Sequence, residues 1–215
     1  MHILLSIMHY KYWEGDVVLK GKKMRKLIIV EGPMKVGKSH FIRDLKQSCD
    51  EKGLCFIDFC SDVYRDVFIN NFNESPTLAQ RKAFDLGRVL GLKALFDNFN
   101  EESLIVVMDR FHLTNAIYAE AFSRGRQEYV RTVEEALKKH LKGVDIELII
   151  LADSAEGIES RLQLDERNKQ YTIEDVKLLQ KYFSDFFELS TINTKYWLSW
   201  RNREGTISEL TSERR

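Results

Sequence analysis

The residues Leu27-Ile28-Ile29-Val30-Glu31-Gly32-Pro33-Met34-Lys35-Val36-Gly37-Lys38-Ser39 carry the clearest structural signal in the chain. An aliphatic run ends at a glycine, and a second glycine, a lysine and a hydroxyl residue follow at the spacing G-x-x-x-x-G-K-[ST]. A strand, a loop and a helix in this order form a P-loop, whose main-chain N–H groups surround phosphate oxygens. Glycine lets the backbone approach the phosphate closely, and the start of the helix adds positive potential. The pattern therefore predicts a site for a nucleoside triphosphate.

ATP and Mg²⁺ are the predicted ligands of this loop. Lys38 would reach the β- and γ-phosphates, and the hydroxyl of Ser39 would bind the metal. The predicted ATP-binding residues are Gly32, Pro33, Met34, Lys35, Val36, Gly37, Lys38, Ser39 and His40. The alternative is a glycine-rich turn before a helix, which the preceding strand disfavours.

The composition is typical of a globular protein of one domain. The 215 residues are 44% hydrophobic, which is enough to bury a full core. Lysine plus arginine equal aspartate plus glutamate at 33 each, so the net charge gives no support for a nucleic-acid partner. The three cysteines form no C-x-x-C pair and fit a reducing compartment, so we expect a cytoplasmic protein. We expect no membrane span and no signal peptide, because no apolar run reaches about 18 residues and the N-terminal run lacks a basic start.

Strands and helices are predicted to alternate along most of the chain. Residues 1–24 lack a sustained period, so we expect an extension outside a domain that covers residues 25–215. Strands are predicted near 27–31, 54–60, 104–109, 145–151 and 196–200, and helices near 38–52, 75–100, 114–123, 127–142, 154–163 and 172–189. Ser75 is the expected N-cap of the long second helix, and the tail beyond Arg201 is weakly patterned. This order indicates a three-layer α/β/α fold of the P-loop NTPase type, with a parallel sheet of about five strands.

An aspartate ends the third predicted strand. Asp109 follows the apolar run Leu104-Ile105-Val106-Val107-Met108. A carboxylate at the tip of a buried strand beside a P-loop is the Walker B arrangement, in which it orients Mg²⁺ or its waters. An aspartate that begins a turn is the alternative. The predicted metal-binding residues are therefore Ser39 and Asp109.

The segment Asp109-Arg110-Phe111-His112-Leu113-Thr114-Asn115-Ala116-Ile117-Tyr118 resembles the D-R-Y-x-x-S-x-x-A-Y segment of thymidylate kinases. Phe111 stands for the tyrosine and Thr114 for the serine, and the related deoxynucleoside kinases carry an E-R-S version at this place. Upstream, Ala83-Phe84-Asp85-Leu86-Gly87-Arg88 is similar to the L-F-x-x-D-R helix of thymidylate kinases, with Gly87 in place of the aspartate. The resemblance covers residues 27 to about 190 and departs at Ser61-Asp62-Val63, where thymidylate kinases carry R-E-P.

This resemblance implies transfer of the γ-phosphoryl group of ATP to a (deoxy)nucleoside monophosphate, with dTMP as the favoured acceptor. Arginines would hold the acceptor phosphate, and a lid at residues 161–171 would close over the transferring group and exclude water. The catalytic residues implied are Lys38, Asp109, Arg110, Arg161 and Arg167 (or Lys169). The acceptor-binding residues implied are Asp62, Phe72, Arg88, Arg110, Phe111, Thr114 and Tyr118, of which the three aromatic residues are candidates for stacking on the base. A homodimer is also implied, with contacts near 80–99 or 114–123.

Two other functions stay open at this point. A kinase of a hydroxyl acceptor, either a deoxynucleoside or a modified or terminal position in nucleic acid, would use Asp62 as the base. A nucleotide-binding regulator would keep the fold with a changed acceptor pocket, and the departures at 61–63 and Gly87 fit that function. Retention of Lys38, Ser39 and Asp109 favours active chemistry instead.

Overall fold

The computed structural model describes residues 24–59, 77–101, 103–118, 126–166, 171–199 and 203–212. Within these ranges the strands are β1 (Met24–Glu31), β2 (Cys55–Asp58), β3 (Ser103–Asp109), β4 (Asp145–Ala152) and β5 (Thr194–Ser199). The helices are α1 (Lys38–Glu51), α2 (Leu78–Asn98), α3 (His112–Tyr118), α4 (Arg126–His140), α5 (Ala155–Gln163), α6 (Ile173–Leu189) and α7 (Arg203–Leu210). The N-terminal extension predicted at residues 1–24 lies outside the described residues except for Met24, which belongs to β1.

The five strands form one parallel sheet in the order β2-β3-β1-β4-β5. The central strand β1 places Val30 opposite Asp109 of β3 and Glu31 opposite Ile150 of β4. The loop after β1 therefore begins between the carboxyl ends of two neighbouring strands, which is where open parallel sheets bind ligands. The predicted fold, a three-layer α/β protein with a five-stranded parallel sheet, is confirmed.

Successive side chains of β1 enter two separate cores, one on each face of the sheet. Leu27 and Ile29 pack in the core beneath α2, α3, α4 and α6, whereas Ile28 and Val30 pack beneath α1, α5 and α7. All four side chains are fully buried. A strand that is covered on both faces needs a continuous apolar run, and this need explains why the sequence of β1 does not alternate. Truncation of such a side chain to alanine typically costs about 2–5 kcal/mol.

Helix α2 begins later than the sequence suggested. The side chain of Thr77 accepts a hydrogen bond from the N–H of Gln80 at 3.3 Å, and the Gln80 side chain accepts one from the N–H of Thr77 at 2.8 Å. This reciprocal capping box fixes the helix start at Leu78. The prediction of Ser75 as the N-cap was therefore wrong.

The C-terminal helix α7 was not predicted. Its buried residues Ile207 and Leu210 join the core beneath α1, and the ammonium of Lys26 donates to the carbonyl oxygen of Leu210 at 2.7 Å. Lys26 also forms a buried ion pair with Glu147 at 3.0 Å. A cation at the last carbonyl groups of a helix is favourable because the helix dipole is negative there. None of the described helices is long and apolar enough to cross a membrane.

Candidate functional site

The P-loop joins β1 to α1 through two glycines in the left-handed region. Gly32 has φ 135°, and a Cβ at this position would lie 2.5 Å from the carbonyl oxygen of Leu151. Gly37 is the N-cap of α1 with φ 107°, and no side chain caps the helix. The N–H groups of the first turn of α1 are thus left without a side-chain cap, which is the arrangement that binds phosphate.

Lys38 is buried at the start of α1 and folds back over the loop. Its ammonium group donates to the carbonyl oxygens of Gly32 at 2.9 Å and Pro33 at 2.7 Å. Burial and the nearby Arg110 guanidinium lower the pKa of Lys38 to about 7, against the opposing effect of Asp109 and Glu31. A bound triphosphate would favour the charged ammonium, so this lysine is suited to respond to an anion.

Asp109 lies at the carboxyl end of β3, next to the last residues of β1. Its Oδ1 atom is buried and has no hydrogen-bond partner among the described residues. Mg²⁺ commonly binds one or two carboxylates and completes its shell with phosphate oxygens and water, so this oxygen and the exposed Ser39 of α1 fit the metal. In the described part of the chain no group of three His, Cys, Asp or Glu side chains could hold a metal ion unaided.

Arg110 occupies a left-handed conformation with φ 65°, which is unusual for a residue with a side chain. Its N–H donates to the carbonyl oxygen of Val30 at 3.0 Å. Within the described ranges its guanidinium has no hydrogen-bond or ion-pair partner, and it lies close enough to lower the pKa of Lys38. Two cationic groups therefore face one region at the carboxyl edge of the sheet.

Arg88 of α2 lies beside Arg110 but is occupied by other contacts. Its Nη2 donates to the carbonyl oxygen of Arg110 at 3.2 Å, and its Nη1 pairs with Asp85 at 3.3 Å. The guanidinium lies 4.8 Å from the ring centroid of Phe111. Arg88 is buried and supports the backbone of Arg110, and its role in holding the acceptor phosphate stays a prediction.

The partner of Arg88 is a fully buried carboxylate. Asp85 also accepts hydrogen bonds from the side-chain amide of Asn115 at 2.8 Å and from the hydroxyl of Tyr129. Burial and the Asp85 carboxylate raise the pKa of Tyr129 well above its ordinary value, so the phenol remains a donor. Helices α2, α3 and α4 thus meet at one satisfied carboxylate, which fixes Arg88 in place.

Glu31, the last residue of β1, caps helix α3 from a different element. Its Oε1 accepts from the N–H groups of Phe111 at 2.9 Å, Leu113 at 3.1 Å and Thr114 at 3.3 Å. The hydroxyl of Thr114 donates to Oε2. These contacts satisfy N–H groups that the first turn of a helix cannot pair internally. Sequence reasoning missed Glu31, although an acidic residue within a buried apolar strand is itself a signal.

Two of the residues predicted to contact the acceptor substrate are buried in the protein interior. Phe111 is fully buried beneath Arg88, and this burial contradicts its predicted role as a platform for the base. Thr114 is also buried, with its hydroxyl engaged by Glu31. Both residues build the turn that presents Arg110. The predicted residues Asp62, Phe72 and Arg167, together with the side chain of Tyr118, lie outside the described residues.

Arg161 contacts the P-loop directly. Its Nε donates to the carbonyl oxygen of Lys35 at 2.8 Å, and its Nη2 pairs with Asp153 at 2.6 Å. Lys35, which has φ 58°, forms an ion pair with Asp165 at 2.8 Å. Contacts from the end of α5 and from Asp165 therefore hold this segment against the P-loop. The predicted lid begins at the same place, at residue 161.

The fold and the loop geometry define an α/β protein of the P-loop NTPase type. No protein-family model and no curated protein matches the sequence. Among solved structures, the chain is similar to the YorR protein of Bacillus subtilis, determined in complex with phosphorylated GDP. The TM-score is 0.48 at 17% sequence identity, and the match covers 86% of this chain and 93% of YorR.

Proposed function

We propose that this protein is an ATP-dependent phosphotransferase that moves the γ-phosphoryl group to a (deoxy)nucleoside monophosphate. The observation that carries the proposal is the Arg110 guanidinium, which has no partner among the described residues and lies near Lys38 and Asp109. A free cation beside a triphosphate loop is the group that a second phosphate-bearing substrate requires. The pattern of residues 109–118 favours dTMP as the acceptor.

The chemistry explains why two cationic groups are needed. Phosphoryl transfer brings two polyanions together, so catalysis consists largely of positioning and charge neutralisation. Lys38 and the N–H groups of the P-loop would hold the donor, and Arg110 would hold the phosphate of the acceptor. Mg²⁺, held by Ser39 and Asp109, would neutralise charge on the triphosphate. Arg161 would act from the edge of the lid, since it already contacts the carbonyl oxygen of Lys35.

A second candidate is a kinase of a hydroxyl acceptor. The engagement of Arg88 by Asp85 and by the Arg110 carbonyl favours it, because a single free guanidinium remains on the acceptor side among the described residues. In such a substrate the group that accepts the phosphoryl group is a hydroxyl, which does not need two arginines to neutralise it. In that case Asp62 would act as the base.

Label transfer separates these candidates. The full chain is incubated with Mg²⁺ and ATP labelled at the γ-phosphate, together with nucleoside monophosphates, nucleosides or DNA ends. We expect label on a nucleoside diphosphate, and none with Lys38→Met. Label on a monophosphate or on DNA would support the second candidate. ATP binding without transfer to any acceptor would contradict both and support a regulator.

A further inference from the structure

A second buried network holds the turn after Asp109 from its other side. The Nε2 atom of His112 lies 3.0 Å from Oε1 of Glu134 in α4, and both side chains are fully buried. Glu134 also accepts from the hydroxyl of Ser190 at 2.7 Å, and from the N–H and the hydroxyl of Thr191 at 2.6 and 2.7 Å. Both carboxylate oxygens are thus occupied by donors.

The hydrogen-bond donors around Glu134 determine which groups of this network carry protons. Burial alone would raise the pKa of Glu134, but the contacts with His112, Ser190 and Thr191 lower it to about 2. The carboxyl group is therefore ionised at neutral pH and can only accept, so Nε2 of His112 must carry a proton. The carboxylate in this way fixes both the tautomer and the orientation of the imidazole ring. The Nδ1 atom is buried and has no hydrogen-bond partner among the described residues.

His112 is the first residue of α3 and follows Arg110 by two positions. Arg88 holds the carbonyl group of Arg110, and Glu31 holds the N–H groups of the next residues. Both contacts reach main-chain groups of residues 110, 111 and 113. Glu134 contacts the side chain of His112, the residue nearest to Arg110 among those of α3, and it also accepts from the N–H of Thr191 in the loop that precedes β5.

We propose that Glu134 is a positioning residue for Arg110 and acts through His112. The inference rests on the proposed function, in which Arg110 binds the acceptor phosphate. A left-handed backbone is unfavourable for a residue with a side chain, so it persists only where the surroundings hold it. Release of His112 frees the first turn of α3 to rotate, and the conformation of Arg110 at φ 65° then relaxes. The guanidinium moves away from the place where it meets the acceptor.

Glu134→Gln tests this inference, because glutamine keeps the shape but places an amide group among donors. We expect the KM of the acceptor to rise at least tenfold while the KM of ATP stays within about twofold. Hydrogen exchange of the amides of residues 110–118 should become faster, with no change in α1. Glu147→Gln is the matched control, since Glu147 is equally buried but pairs with Lys26 at the opposite end of the sheet. The control should change neither the acceptor KM nor the exchange of residues 110–118.

A second pair of variants keeps the test decisive if Glu134→Gln does not fold. His112→Leu removes the donor to Glu134 and should reproduce the effect, whereas His112→Gln keeps an N–H donor and should largely restore the acceptor KM. The inference is overturned if His112→Leu and Glu134→Gln leave the acceptor KM and the exchange unchanged. It is also overturned if they raise the KM of ATP as much as the KM of the acceptor, or if Glu147→Gln raises the acceptor KM to the same extent. If the wild-type protein phosphorylates no acceptor, the proposed function fails, and the exchange measurement still decides the role of Glu134.

Discussion

The Nη2 group of Arg88 donates a hydrogen bond over 3.2 Å to the main-chain carbonyl oxygen of Arg110. One arginine therefore supports the backbone of another, and the supported residue is the one whose guanidinium is free among the described residues. The sequence predicted the same role for both residues at the acceptor phosphate, whereas their contacts in the structure differ. Arg88 stabilises a strained turn from within, and Arg110 carries the charge that remains available to a ligand.

Arg88→Ala should be strongly destabilising. The change leaves the buried carboxylate of Asp85 without its cationic partner, and loss of one member of a buried pair typically costs about 3–5 kcal/mol. Urea denaturation measures this free energy of unfolding. Arg43→Ala is the control, because the Arg43 side chain is 70% exposed and should change stability by less than about 1 kcal/mol. Equal stability of the two variants would contradict the supporting role of Arg88.

Glu31→Gln should weaken the start of α3. The amide can still accept at one oxygen, but its NH₂ group then faces N–H groups that also donate. We therefore expect the free energy of unfolding to fall by about 1–3 kcal/mol. Faster hydrogen exchange at Phe111, Leu113 and Thr114 would report the lost cap. Glu128→Gln is the control, because it changes an exposed glutamate of α4 and should alter neither the free energy of unfolding nor the hydrogen exchange of these residues. Unaltered exchange in the Glu31 variant would show that the cap contributes nothing.

Gly32→Ala and Gly87→Ala should differ in their effect on thermal stability. A methyl group at Gly32 would lie 2.5 Å from the Leu151 carbonyl on a backbone with φ 135°, so the P-loop must shift. A methyl group at Gly87 meets nothing within 4 Å in the interior of α2, and alanine favours helix by about 0.5–1 kcal/mol. We expect a lower Tm and weaker ATP binding for the first variant, and an equal or higher Tm for the second. A tolerated Gly32→Ala would refute the close packing of the loop against β4.

ATP binding should take up a proton above pH 7. The pKa of Lys38 is lowered to about 7 in the free protein, so at pH 8 most of the molecules carry a neutral amine. A bound triphosphate favours the charged form and raises this pKa again. ATP affinity should therefore fall as pH rises from 7 to 9. Calorimetry in two buffers with different ionisation heats measures the uptake, which Lys38→Met should abolish. Equal proton uptake by the wild type and the variant would show that Lys38 is not the group that takes up the proton.

Local patterns were sufficient to predict the layers of the fold but not the distribution of charges in the site. The apolar runs of β1, β3 and β4 identified the sheet because strands covered on both faces have no polar alternation. Helix α7 escaped detection because its buried residues, Ile207 and Leu210, are too few to form an amphipathic stripe. Thr77 replaced Ser75 as the cap because Gln80, three positions on, completes a capping box.

The roles of the site residues depend on contacts between distant parts of the chain. Asp85 and Arg88 stand three positions apart in α2, a spacing at which charged side chains can meet, but the hydrogen bond from Arg88 to the carbonyl oxygen of Arg110 joins residues that are distant in sequence. The burial of Phe111 likewise follows from the packing of α2 over α3. Glu31 is distant in sequence from the helix that it caps, so its role could not be derived before the register of β1 and β3 was known. Pairing of charges in space is the information that a motif lacks.

The kinetics of Arg110→Gln test the central claim most directly. With the acceptor identified by label transfer, the KM of the acceptor should rise by about 10- to 100-fold, because a charge-assisted contact worth about 1.5–3 kcal/mol is lost. The KM of ATP should change far less. An unchanged acceptor KM, or an equal loss of affinity for both substrates, would contradict the account and leave Arg110 as part of the ATP site alone.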